Sequence, residues 1–121
     1  MLRVVSMPAP SIPKSVFGRR LRAARLEAGL SQADLGAVLG LEDSNSAAPR
    51  ISRYELGLRD PDPETAEALA KALGVPVAYF HATSDVLAEV ILLVARLPAS
   101  RQQAVLNLIK GYAEGKSPPA G

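Results

Sequence analysis

The chain of 121 residues has no cysteine, no tryptophan and a single histidine, His81. Lack of cysteine excludes disulfides, thiolate chemistry and the usual zinc sites. A lone histidine on an expected surface turn makes a poor metal ligand, so neither a metal nor another cofactor is expected. Aromatics are scarce: Phe17, Tyr54, Tyr79, Phe80 and Tyr112 are all there are, and Leu, Val, Ile and Ala must fill the core. Charge of one sign is also lacking. Fourteen Lys and Arg against twelve Asp and Glu leave +2, too little to name a partner by itself. The longest apolar run is Val90 to Ala95, far short of the roughly 20 residues that span a bilayer. Residues 1–13 carry three prolines and no secretion-type apolar segment. The expected setting is the cytoplasm, with no membrane partner. Paired carboxylates, a serine–base arrangement and a glycine-rich phosphate loop are missing as well, so no enzymatic role is expected.

What is present is helical periodicity. Residues 1–14, with Pro8, Pro10 and Pro13, are expected to form a flexible N-terminal arm. A helix from about Val16 to Ala28 puts Phe17, Leu21 and Ala24 on one stripe and stops at Gly29. Ser31 and Asp34 have capping-box spacing for a second helix ending at Gly40. Glu42 to Ala48 is polar and small and predicts an extended turn. A third helix follows, capped by Ser44 or Ser46 and running to about Leu56, with Pro49 tolerated if it falls in the first turn. Asp62 caps a fourth helix with Pro63 first and Gly74 at its end. Pro76 to His81 is a short turn or helix. Ser84 caps an apolar segment, Asp85 to Leu97, that Pro98 breaks, and Ala99 to Ala113 forms a last helix. No stretch alternates as a strand would.

The third helix divides into faces. Ser46, Pro49, Arg50 and Arg53 share its polar side, while Ile51, Tyr54, Glu55 and Leu58 can pack inward. Arginine presents a donor fork that binds guanine at two points, worth about 1–3 kcal/mol of discrimination. The N-terminus of the second helix, with Ser31 and Gln32, offers backbone donors suited to a phosphate. Between Lys14 and Glu27 five basic residues face one acidic residue, and Arg50, Arg53 and Arg59 make a second basic group.

These landmarks resemble the Cro/cI-type helix-turn-helix family, also called the xenobiotic-response-element family. The matching residues are G-L-S-Q at 29–32, Leu35, L-G at 39–40, I-S-R-Y-E at 51–55, Gly57, and A-L-A-K-A-L-G-V at 68–75, within Phe17 to Phe80. The resemblance implies an all-α fold with a five-helix, phage-repressor-like bundle over residues 15–82, to which the helical patterns beyond it add a C-terminal helical hairpin. It implies double-stranded DNA as partner. Bases would be contacted by Ala48, Arg50 and Arg53, and phosphates by Arg20, Ser31, Gln32, Ser46 and Arg59. Arg25 and Glu55 match positions that often pair, and Gly36 falls where a small residue lets two helices approach. One departure stands out: five extra residues between Leu41 and Ile51, within E-D-S-N-S-A-A-P, where Glu42 and Asp43 would repel phosphate.

The hairpin, residues 84–114, is too apolar to remain bathed in water. Leu87, Val90, Ile91, Val94, Val105, Leu108, Ile109 and Tyr112 are expected to make a homodimer, since palindromic operators suit two-fold proteins. Residues 115–121 are expected to be a disordered tail. The expected function is a sequence-specific transcriptional regulator, a repressor, binding a palindromic operator as a homodimer. Two alternatives are an antitoxin or similar protein-interaction module with a toxin or other protein partner, and a helix-turn-helix fold that has lost DNA binding.

Overall fold

The structure is a computed structural model that describes residues 15–40 and 44–115. The expected arm and tail, and Glu42 and Asp43 of the insertion, lie outside the described residues. All secondary structure described is helical: α1 Val16–Glu27, α2 Gln32–Val38, α3 Ser44–Leu56, α4 Pro63–Leu73, a 3-10 turn Val77–His81, α5 Asp85–Ala95 and α6 Ala99–Ala113.

Local chemistry sets most boundaries. Ser15, Ser31, Asp62 and Ser84 each accept a backbone N–H three residues on, at Gly18, Asp34, Thr65 and Leu87. Each satisfies one of the donors a helix start leaves open. At α2 the box is reciprocal, for the Asp34 carboxylate accepts from the Ser31 N–H at 3.0 Å. Glycines with positive φ follow α1 to α4 at 29, 40, 57 and 74. Hydrogen bonds from the Ser31 N–H to Asp34, and from Thr65 to Asp62, hold these carboxyls below the ordinary carboxylate range.

One boundary differs from expectation. The predicted turn over 42–48 is helical from Ser44, and Ser44 and Ser46, each expected to cap α3, lie inside it. Pro49 is therefore interior rather than in the first turn. It has no N–H for the carbonyl of residue 45, a gap in the ladder that the rest of α3 must tolerate. The apolar and small residues of this segment recur at helical spacing, and Ala47 is buried; packing on α2 outweighs the local breaker.

The core takes one fully buried large residue from each of five elements: Leu21, Leu35, Ile51, Leu69 and Phe80. Each is worth roughly 1.5–3 kcal/mol of transfer free energy, a large share of a domain's net stability of about 5–15 kcal/mol. Two glycines let α3 sit close to its neighbours. A Cβ on Gly18 of α1 would meet the Glu55 carbonyl oxygen at 2.2 Å, and one on Gly36 of α2 would meet the Ala47 Cβ at 2.5 Å. Thus α3 is clamped between α1 and α2 at backbone distance. Leu58, expected to pack inward, lies past the end of α3 and is exposed.

The hairpin joins the bundle through α5. Ala88 is buried, and Ile91 and Leu92 pack against the core. Helix α6 has no buried residue and meets α5 as its main neighbour. Gln102 holds the α5–α6 turn, donating to the carbonyls of Val94 and Leu97 at 2.9 and 3.1 Å.

Two expected outcomes follow from these contacts. Gly36→Ala lowers stability by about 1–3 kcal/mol, the usual cost of overpacking, and Ala47→Gly in the same chain restores part of it; denaturant midpoints measure both. Separately, Asp34 and Asp62 have carboxyls whose folded pKa lies below the unfolded value of about 3.9. Their contribution is complete above that value and is lost as pH falls through the folded pKa. Melting temperature is then expected to hold from neutrality to about pH 5 and to drop below it, with a shallower drop in Asp62→Asn.

Candidate nucleic-acid interface

The site is assembled around a buried ion pair. Arg25 near the end of α1 donates from Nε to Glu55 Oε2 at 2.6 Å and from Nη2 to Oε1 at 3.1 Å. Its Nη1 donates to the Leu30 carbonyl at 2.9 Å. One guanidinium thereby fastens α1, the α1–α2 turn and α3. Both residues are buried, so their charges are neutralised by each other and not by water. Gln32 at the start of α2 donates from Nε2 to Glu55 Oε1 at 3.2 Å. That bond aims the amide and uses one of its two N–H donors, leaving the other for an outside acceptor.

On the outer side of α3, Arg50 donates from Nε to the Tyr54 hydroxyl at 2.9 Å, with its guanidinium 5.9 Å from the Tyr54 ring centroid. The bond takes Nε and not the two terminal nitrogens that would grip a base. Arg50 also contributes to holding the Asp62 carboxyl low. Arg53 and Arg59 are exposed. Ser46, Pro49, Arg50, Arg53 and Arg59 together line a surface depression of about 420 Å³. Among the described residues, three guanidinium groups and no carboxylate line it. A concave basic surface on one helix and the loop after it can bind phosphate and present arginine forks to an adjoining groove.

The expected contact residues thus separate. Ser46, Arg50, Arg53 and Arg59 come together; Ser31 is exposed and Gln32 half-buried at the α2 start; Ala48 is half-buried on α3. Arg20 is a correction. Expected on a phosphate, it is only 5% exposed, donates to the Ala82 carbonyl at 3.0 Å and pairs with Asp85 at 2.8 Å. Its position on the buried stripe of α1, four residues before Ala24, was the available signal. Tyr54, which orders Arg50, was read only as packing. Its place four residues after Arg50 puts the two side chains together on a helix.

The second candidate surface is apolar. Leu87, Val90, Leu108, Ile109 and Tyr112 are exposed, joined by Val86, Leu93 and Leu106, while Ile91, Val94 and Val105 are half-buried. Tyr112 is 68% exposed and Val86 74%. Among the described residues, no group of three or more potential ligands is placed to hold a metal ion, and no helix is long and apolar enough to cross a membrane.

A family model described as helix-turn-helix matches residues 21–80. Among solved structures, the crystal structure of transcriptional regulator BswR is similar, with 38% sequence identity and a TM-score of 0.74. The similarity covers 83% of this chain and 98% of that one. No match was found among curated protein sequences.

Glu55→Ala is expected to cost about 3–5 kcal/mol by leaving Arg25 buried without its partner. Replacing both, as Arg25→Met with Glu55→Leu, is expected to recover most of that loss in denaturant melts. An equal loss in the double variant would count against the pair as the source.

Proposed function

The chain belongs to the Cro/cI-type helix-turn-helix family of DNA-binding transcription regulators, and from that membership we propose that it is a repressor acting in the cytoplasm, binding a palindromic operator as a homodimer. It acts by occupancy, not by catalysis. Each subunit lays α3 in a major groove, with half-site centres about 34–36 Å apart. The observation that carries this reading is the concave wall of Arg50, Arg53 and Arg59 on the outer side of a helix fastened from within by Arg25 and Glu55. Arg50 and Arg53 read bases and Ala48 meets a thymine methyl. Ser31, Gln32, Ser46 and Arg59 take phosphates. The exposed apolar face of α5 and α6 supplies the dimer contact, since a surface of that kind is best removed from water by another apolar surface.

That face also suits a second reading: an antitoxin or other interaction module whose hairpin binds a different protein. A partner co-purifying at one-to-one stoichiometry would favour it.

Selection of genomic fragments followed by footprinting at two salt concentrations tests the main reading, and absence of a specific footprint at low salt would sink it. On the selected duplex, Arg53→Ala is expected to lose about 1–3 kcal/mol and relax sequence preference. Arg59→Ala is expected to weaken specific and random duplexes alike and to reduce the salt slope by about 1. Equal losses on both duplexes from Arg53→Ala would count against base readout by that residue.

A further inference from the structure

We infer that Arg20 is a positioning residue for operator spacing: its guanidinium sets the angle between the DNA-reading bundle and the α5–α6 hairpin. This rests on the reading of a hairpin-mediated dimer on two half-sites. In such a dimer the angle at the base of α5 fixes how far apart the two α3 helices stand.

Arg20 lies in α1, and both its hydrogen-bond partners are more than sixty residues away. Nε donates to the carbonyl of Ala82, in the short link between the 3-10 turn and α5, and Nη1 pairs with Asp85, the first residue of α5. The guanidinium also lies 6.0 Å from the Tyr79 ring centroid. One planar fork therefore grips the end of the link and the start of the helix beyond it, with the donor directions fixed relative to each other. The bundle also meets α5 through apolar contacts of Ala88, Ile91 and Leu92, and Arg19 adds a longer-range attraction to Asp85. Apolar contact is non-directional and permits tilt and roll. The guanidinium does not.

Its burial fits this role better than a purely stabilising one. Nη2 is buried without a hydrogen-bond partner, so the group is not fully satisfied where it lies. A buried charge of this kind is most useful for the geometry it selects. The lever is long enough to matter. The eleven residues of α5 rise about 1.5 Å each, giving roughly 16 Å, so a tilt of about 12° moves the far end by about 3.4 Å. That equals about one base-pair step, given half-sites 10–10.5 base pairs and about 34–36 Å apart. A small loosening at Arg20 becomes a whole step in spacing.

The test uses the full chain and duplexes selected from a random pool by the unaltered protein. Palindromes are rebuilt with the half-site separation changed in single base-pair steps, alongside an isolated half-site. Sedimentation and thermal melts establish the oligomer and the fold. The unaltered dimer is expected to favour one spacing by tenfold or more. Arg20→Lys keeps the charge but loses the fork, and Asp85→Asn removes the charge partner at an exposed position. Each is expected to reduce the preference to about threefold or less, with less than a twofold change on the isolated half-site. A folded, dimeric Asp85→Asn with an unchanged spacing profile overturns the inference. So does an equal loss on half-site and palindrome, which would place the effect within the bundle. A monomeric unaltered chain would instead overturn the dimer reading on which the inference stands.

Discussion

The buried pair of Arg25 and Glu55 is the interaction on which the rest of the reading surface depends. A pair out of water recovers little net energy, because desolvation offsets much of the attraction. Geometry is what it secures. Two parallel N–H···O bonds fix both the separation and the rotation of α3 against α1, and the Leu30 carbonyl adds the turn between them. Glu55 then extends the same constraint to Gln32 at the start of α2. Gly18 and Gly36 supply the complementary condition, since α3 reaches that pair only if nothing stands between the backbones. Side chains on the outer face of α3 are aimed by interactions on its inner face.

Much of this was legible in the sequence because it is local or periodic. Ser31 with Asp34, Asp62 with Pro63, and Ser84 announce helix starts through interactions spanning three residues. Leu21 and Ile51 sit on faces that helical spacing turns inward, while Leu35 and Leu69 fall among the landmarks of the family resemblance. Arg25 and Glu55 were matched through the family resemblance. Two features resisted for different reasons. Arg20 has its partners at Ala82 and Asp85, and no pattern within α1 shows what lies that far along the chain. It also stands beside exposed basic neighbours such as Arg19, so composition groups it with the phosphate-facing charges. The start of α3 was misplaced because Pro49 and the small polar residues before it speak locally for a turn. Burial of Ala47 against Gly36 is a tertiary contact, and it prevails over that local preference.

The two surfaces differ in how they are held. In the arginine wall Tyr54 orders Arg50 by engaging Nε, and the backbone turn after α3 brings Arg59 into the same lining as Arg53. Pre-ordering a long side chain removes part of the rotamer entropy that binding would otherwise cost. The hairpin face depends on apolar area alone. Gln102 ties the turn between its two helices by donating to the carbonyls of Val94 and Leu97. A surface of the first kind discriminates among partners; one of the second kind mainly associates.

These properties place the burden of specificity on few atoms. Net charge is only +2, so long-range attraction to a polyanion is weak and the local concentration of guanidinium groups must provide it. Among the described residues Arg50, Arg53 and Arg59 line the depression without a carboxylate, while the carboxylates of Asp34 and Asp62 accept from backbone N–H groups of the helix starts they cap. Asp62, bonded to the Thr65 N–H, still feels the charge of Arg50, so this cap tempers the basic wall without lining it. Residues that begin helices thus keep negative charge engaged with backbone N–H groups, and the described lining of the depression is basic in a chain that is almost neutral overall.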